Sequence, residues 1–250
     1  MVRNRRKCQP TATAGERSLK TREVAAIVRP RDSSGLEMKR RALDLFCGAG
    51  GATRGLQLAG FHVTGVDIKA QPRYCGDEFR QADALAFPLD GFDFIWASPV
   101  CKAWSKIKAV HKHRSYPNYP TDEVAATRER IKTAGVPYVL ENVAGAPLSN
   151  PFMLCGLMFG LKVLRHRQFE ASFLVPTLVH PRHTGSTNSW RGMGKGGELV
   201  CVTGHNFLMS EAKPAMGIDW MVQSEISQAI PPAYAEFIGE QALRVLDCAA

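Results

Sequence analysis

No run of about 18 consecutive apolar residues occurs in this chain of 250 residues, so no membrane-spanning helix is expected. The basic start is not followed by the apolar stretch of a secretion signal, and a cytoplasmic protein is expected. There is no C-x-x-C pair. The seven cysteines, at 8, 47, 75, 101, 155, 201 and 248, stand singly and are odd in number, which suits reduced thiols rather than a disulfide framework. No cysteine lies at ligand spacing from the histidine pairs His111/His113 and His180/His183. Both pairs therefore read as solvated loop residues, and no metal site is expected. No internal repeat is present.

Acidic residues are scarce only at one end. Residues 1–41 hold twelve Lys/Arg against four Asp/Glu, while the other 209 hold twenty against nineteen. The net charge of +9 thus belongs almost wholly to residues 1–41, of which 1–37 lack apolar periodicity. It reads as a disordered extension that either touches a polyanion nonspecifically, by releasing counterions from phosphate, or stays solvated with no partner. Met38-Lys39-Arg40-Arg41 runs directly into the first expected strand, which makes Met38 an alternative start of translation.

What is present is a 45% apolar chain long enough to bury one sizeable core. After Met38, short apolar runs alternate with helical stretches, the pattern of a doubly wound, mostly parallel α/β sheet wrapped by helices. Ala42–Phe46 reads as a strand, Cys47–Gly51 as a tight glycine loop and Ala52–Ala59 as a helix. His62–Asp67 reads as a second strand and Phe92–Ala97 as a third, stopped by Ser98-Pro99-Val100-Cys101. Thr121–Thr133 looks like an exposed helix, and Tyr138–Leu140 like a strand closed by Glu141-Asn142. Residues 171–215, with the aperiodic Gly192-Met193-Gly194-Lys195-Gly196-Gly197, read as loops with one hairpin. Regular structure resumes at Ser224–Leu246, where Pro231-Pro232 suits the first turn of a closing helix.

Three polar clusters, 47–51 with Asp67, 98–105, and 141–142, fall at carboxyl ends of expected parallel strands. Open α/β sheets place their ligands there, so the clusters point to one composite site. In Asp44-Leu45-Phe46-Cys47-Gly48-Ala49-Gly50-Gly51 the glycines let the backbone turn sharply and approach a ligand, and the following helix offers free N–H groups. Asp67 is placed to accept hydrogen bonds from ribose hydroxyls. The fingerprint G-x-G-x-x-G fails because Thr53 stands at its third glycine. On these residues alone, nicotinamide and adenosylmethionine cofactors both stay open, as does a purely structural turn.

The glycine segment, Pro99-Val100-Cys101-Lys102-Ala103-Trp104-Ser105 and Glu141-Asn142-Val143 occur in the order seen in cytosine-5 DNA methyltransferases, and the chain resembles that family. Arg165-His166-Arg167 is similar to its arginine motif, and Gln228-Ala229-Ile230-Pro231-Pro232 to its C-terminal cofactor-closing motif. The likeness covers roughly residues 40–170 and 215–242 and looks nearest to small phage and actinobacterial members.

The resemblance implies a Rossmann-like fold of the class I methyltransferase type, S-adenosylmethionine as cofactor, and duplex DNA with a flipped cytosine as partner, met by a monomer. It implies an extension over 1–37, a cofactor-binding and catalytic core over 38–170, a short target-recognition region over 171–215 and a segment returning to the core over 216–250. By the same likeness Cys101 is the thiolate that adds to carbon 6 of the base, and Glu141 the acid that holds N3 and the exocyclic amine. Arg165 and Arg167 lie near the flipped nucleotide and support the thiolate. Phe46, Gly48, Gly50, Asp67, Asp83, Pro99, Gln228 and Ala229 form the cofactor site, with Asp83 reading the adenine amine or, on its own surroundings, serving as a turn aspartate.

The chain departs from the family where Pro-Cys-Gln is usual and Val100-Cys101-Lys102 stands instead. Valine is expected to loosen the loop, and Lys102 to favour the thiolate. Ser227-Gln228 stands where Gly-Asn is common. Two readings from other classes remain: an enzyme acting on a free cytosine nucleotide, and a catalytically dead relative that binds DNA or cofactor.

Overall fold

The computed structural model describes residues 39–101, 104, 122–184, 187–188, 198–204 and 207–249. The basic extension 1–37, Met38, Lys102, Ser105, His111, His113 and the glycine-rich segment 192–197 lie outside the described residues. No helix among the described residues is long and apolar enough to cross a membrane.

Seven strands form one sheet: β1 (Arg41–Leu45), β2 (His62–Asp67), β3 (Glu78–Gln81), β4 (Phe94–Ala97), β5 (Tyr138–Asn142), β6 (Phe152–Leu154) and β7 (Arg167–Ala171). Their order is β3-β2-β1-β4-β5-β7-β6. The first five run parallel, and β7 pairs antiparallel with both β5 and β6. The central strands are buried on both faces, with β4 sealed over its whole length, as a sheet covered by helices on both sides requires. The mostly parallel, doubly wound α/β arrangement expected from the sequence is the one observed.

Helix α1 (Gly51–Ala59) packs on the closing helix α5 (Pro232–Cys248) over the core of Leu56, Phe61, Val63, Trp96, Phe169, Tyr234 and Ile238. The approach is close enough that a Cβ on Gly55 would collide with the backbone of Pro232 and Glu236. Pro232 occupies the first turn of α5, where its missing N–H leaves no bond unmade. On the other face, α2 (Glu123–Lys132) buries Val124, Thr127 and Ile131, the last in a core with Leu43, Ile95 and Leu140. It is less exposed than its charges suggested. Arg128 on this helix forms a bidentate pair with Glu170 of β7, both largely buried, and the Ser149 N–H donates to the same carboxylate at 2.7 Å.

The loop reading of 171–215 fails at its C-terminal end. Strand β8 (Thr187–Asn188) pairs with β9 (Leu199–Val200) in parallel, so the two are not a hairpin. Helix α3 (Met209–Met216) carries Pro214 in its interior, which hid its helical pattern from propensity reasoning. Val163, Val202, Phe207, Ala212, Met216, Ile218, Met221 and Ile226, the last on the short helix α4 (Gln223–Ile226), close a second small core against Ala49 of the glycine loop. The boundary expected at residue 170 falls inside β7.

Candidate active site

The chain leaves β1 at Leu45 and turns through Phe46, Gly48 and Gly50, whose φ values are 61°, 51° and 91°. Glycine meets this demand freely, whereas Phe46, half-buried against the core that contains Leu45 and Leu89, adopts it despite its side chain. Asp67, at the end of β2, accepts the Gly48 N–H at 3.0 Å on one oxygen and the Lys69 N–H at 2.9 Å on the other. Each oxygen can accept one bond more. The Trp220 indole N–H donates to the Ala49 carbonyl at 2.8 Å and ties the loop to the C-terminal segment.

Beneath the loop, Asp44 is fully buried. Thr53 donates to one of its oxygens at 2.6 Å, and the other has no hydrogen-bond partner. Burial pushes its carboxyl from 3.8 up to about 7, outweighing the help of Thr53. Asp83 is exposed two residues past β3 and accepts the Leu85 N–H at 2.9 Å, the geometry of a turn aspartate.

The loop after β4 is pinned at three points. Trp96 donates to Ser98 Oγ at 3.0 Å, the Asn142 side-chain amide donates to the Pro99 carbonyl at 3.0 Å, and the Val100 N–H donates to the Glu123 carboxylate at 3.0 Å. A proline at position 100 has no N–H to give. Val100 is thus tethered to α2 by a bond that the proline of the resembling family cannot make, which offsets the looseness expected from its freer φ. Glu123 was not foreseen, since nothing in its local sequence marks it.

Cys101 is half-buried just beyond this loop, and Glu141 is buried at the end of β5. Arg167 Nε lies 3.0 Å from Glu141 Oε1, with both side chains largely enclosed. The pairing follows from register. Glu141 stands opposite Phe169, so Arg167, two residues along β7, is its diagonal neighbour on the same face. Burial raises the Glu141 carboxyl above its ordinary value, opposed by Arg167, Arg165 and a hydrogen bond with Ser98.

The Cys101 thiol is also pushed up, by burial first and then by Glu141, while Arg167 and Arg165 pull it down without prevailing. The arginines act in the direction expected of them, but in the free protein the thiol keeps its proton at neutral pH.

Arg165 has a structural role that the sequence did not show. Its φ is 34°, and its carbonyl accepts from the buried Tyr234 hydroxyl at 3.0 Å. Its guanidinium is buried and donates to the carbonyls of Val202 at 2.7 Å, Ser227 at 2.7 Å and Ala229 at 2.9 and 2.6 Å. It therefore buckles the start of β7 to the closing segment, and reaches Cys101 through its field rather than by contact. Burial lowers it to about 9, which leaves it charged at neutral pH. The Ala229 carbonyl is taken by Arg165 and its N–H by the Glu225 carbonyl, so Ala229 has its methyl to offer a ligand. The exposed Gln228 donates its side-chain amide to the Ser224 carbonyl at 3.1 Å.

His180 and His183, read from the sequence as solvated loop residues, are exposed and outside helix and strand, and they are also gathered with His166 and Cys155.

No protein-family model matches the chain, and no curated protein matches it. Solved structures do. A protein encoded within an E. coli prophage and titled a DNA modification methyltransferase is 14% identical, with 83% of this chain and 99% of that one covered at a TM-score of 0.57. Dnmt2 methyltransferase of S. pombe is 14% identical over 83% and 99% of the two chains, at 0.53. The methyltransferase EhMeth of Entamoeba histolytica is 11% identical over 84% and 99%, at 0.52. At such identities the likeness establishes the fold, and the fold is the Rossmann-like one of class I methyltransferases.

Proposed function

We propose that this protein transfers the methyl group of S-adenosylmethionine to carbon 5 of cytosine in duplex DNA, with Cys101 as the nucleophile. The observation that carries the reading is the meeting, at one end of the sheet, of Cys101 with a buried Glu141 held 3.0 Å from Arg167. A thiol, a proton-bearing acid and a fixed cation are the groups needed to activate a pyrimidine ring.

The glycine loop suits the cofactor. Gly48 has open space where a side chain would project, Asp67 has acceptor capacity left, and Asp44 keeps one buried oxygen without a partner. Phe46, Gly48, Gly50 and Asp67 would hold the nucleoside and Asp83 the adenine edge, with Pro99, Gln228 and the Ala229 methyl closing the site. The cofactor supplies an electrophilic methyl group.

Cys101 gives up its proton to solvent as the target base, flipped from the duplex, enters the pocket. Its sulfur adds to carbon 6, and the ring electrons move toward carbon 5. Glu141, whose carboxyl burial raises above its ordinary value, shares a proton with N3 as charge builds there. Arg167 holds Glu141 in place and offsets the negative charge of the thiolate. Once carbon 5 is methylated, its proton passes to solvent, the electron pair returns to the ring and expels the Cys101 thiolate, and Glu141 recovers the proton it shared at N3.

The test is to incubate the full chain with methyl-labelled adenosylmethionine and either duplex DNA or deoxycytidine monophosphate, then identify the labelled nucleoside. Label in 5-methyldeoxycytidine from the duplex is expected. Label in the mononucleotide alone would make the protein a nucleotide enzyme. Cofactor binding with no label in either would make it a binder without turnover.

A further inference from the structure

Outside the candidate active site, four side chains converge for which the proposed reaction has no use. Cys155 follows β6, His166 lies between Arg165 and Arg167, and His180 and His183 come from the segment after β7. One donor atom from each lies within 4.8 Å of every other. Cys155 Sγ is 3.6 Å from His183 Nε2, and His166 Nε2 is 3.2 Å from His180 Nε2.

The last two separations match edges of a coordination tetrahedron, and the other pairs, within 4.8 Å, are close enough for small side-chain rotations to complete it. With zinc–sulfur bonds of about 2.3 Å and zinc–nitrogen bonds of about 2.0–2.1 Å, tetrahedral angles put sulfur about 3.6 Å from nitrogen and nitrogen about 3.3 Å from nitrogen. The three imidazoles also crowd one another, with ring centroids 4.8–5.4 Å apart. We propose that Cys155, His166, His180 and His183 form a structural zinc site that clamps the segment after β7 to the catalytic half of the molecule.

Donor chemistry selects the ion. One thiolate and three imidazoles, with no carboxylate, suit zinc and disfavour magnesium or calcium. Four protein ligands close the coordination shell, the mark of a structural rather than a catalytic zinc. Coordination displaces the Cys155 thiol proton to solvent.

The segment also needs such a clamp. Residues 172–184 contain no helix or strand; Phe173, Val175 and Leu178 pack on the core, but Val179 is 89% exposed and His180 and His183 beyond it are exposed, so the end of the segment lacks that anchorage. His166, placed between the two arginines, would carry the restraint into the wall of the active site.

Zinc content of the full chain, freed of any histidine tag and passed over a chelating resin, tests the site. The expected result is about one zinc per chain, with cobalt substitution giving the visible bands of tetrahedral coordination and a thiolate-to-metal charge-transfer band. Cys155→Ala should lose the charge-transfer band. His180→Ala should weaken cobalt binding by more than roughly 100-fold, beyond the usual effect of losing a group that merely supports a ligand.

Because His180 lies on an exposed segment, His180→Ala is expected to keep the wild-type circular dichroism. Added zinc should raise the melting temperature of the wild type and not of this variant. Cys201→Ala and the double change His111→Ala/His113→Ala should retain the metal. Folded wild-type protein with neither zinc nor cobalt bands, or metal retained after Cys155→Ala and His180→Ala are combined, would overturn the site.

Discussion

The parallel half of the sheet and its antiparallel edge supply the candidate active site in different ways. In β1, β2, β4 and β5 the chain always runs in the same direction, so the residues at and just past each strand's carboxyl end gather at one end of the sheet. The glycine loop, Asp67, Cys101 and Glu141 are all placed by that rule. Strand β7 runs the other way, and it is its beginning, Arg165 to Arg167, that lies at the same end. The parallel half offers loops to a ligand. The antiparallel edge offers a cation paired with the acid and a buckle that holds the C-terminal segment.

The largest effect should come where the two halves meet. Glu141→Gln keeps the shape and some hydrogen bonding but removes the shared proton, and kcat for methyl transfer should fall by roughly 10²–10⁴-fold with cofactor affinity little changed. An unchanged kcat would confine Glu141 to holding Arg167.

At the antiparallel edge, Arg165→Met leaves the carbonyls of Val202, Ser227 and Ala229 without their donor and should destabilise the fold by about 3–5 kcal/mol in urea titration. At the opposite edge, Arg80→Met removes an exposed pair with Glu78 and should change stability by less than about 0.5 kcal/mol. Equal effects at the two positions would contradict the buckle.

In the parallel half, Asp44→Asn should stabilise the protein. The folded carboxyl is raised to about 7 from 3.8. Between those values the unfolded chain releases a proton that the folded chain retains, so folding stability falls as pH rises and the full penalty is present above about pH 7. The gain from Asp44→Asn should be near zero at pH 4 and reach up to about 4 kcal/mol at pH 8. A gain independent of pH would refute ionisation as its source. Val100→Pro should act least. It trades the bond to Glu123 for a fixed φ, so stability should change by within about 1 kcal/mol and kcat by less than about tenfold.

The same contrast explains what could be read from sequence. Strands β1, β2, β4 and β5 and the first turn of α5 have strong local signatures, either apolar runs ended by polar residues or proline at a helix start. Their order alone places Cys101 near Glu141. By contrast, β3 and β6 are too short to show a period, and Pro214 masks α3.

The partners that hold the site are set by register and packing. Glu123 reaches Val100 across 23 residues, Asn142 reaches Pro99 across 43 and Tyr234 reaches Arg165 across 69. Arg165 was identified by resemblance, but its clamping contacts had no sequence signal. Nor did the approach of Cys155 to His166 and His183, because spacing along the chain says nothing about ligands brought together by a sheet edge.

The central claim is that Cys101 bonds to the base during transfer. DNA amplified with 5-fluorodeoxycytidine in place of every deoxycytidine presents all target sequences at once, and its fluorine cannot leave carbon 5 as a proton does. With adenosylmethionine present, the wild-type chain is expected to form a protein–DNA band that survives denaturation, and Cys101→Ala to form none while still binding the cofactor. Methylation of ordinary duplex DNA that proceeds equally in Cys101→Ala, with no such band from the wild type, would contradict the account.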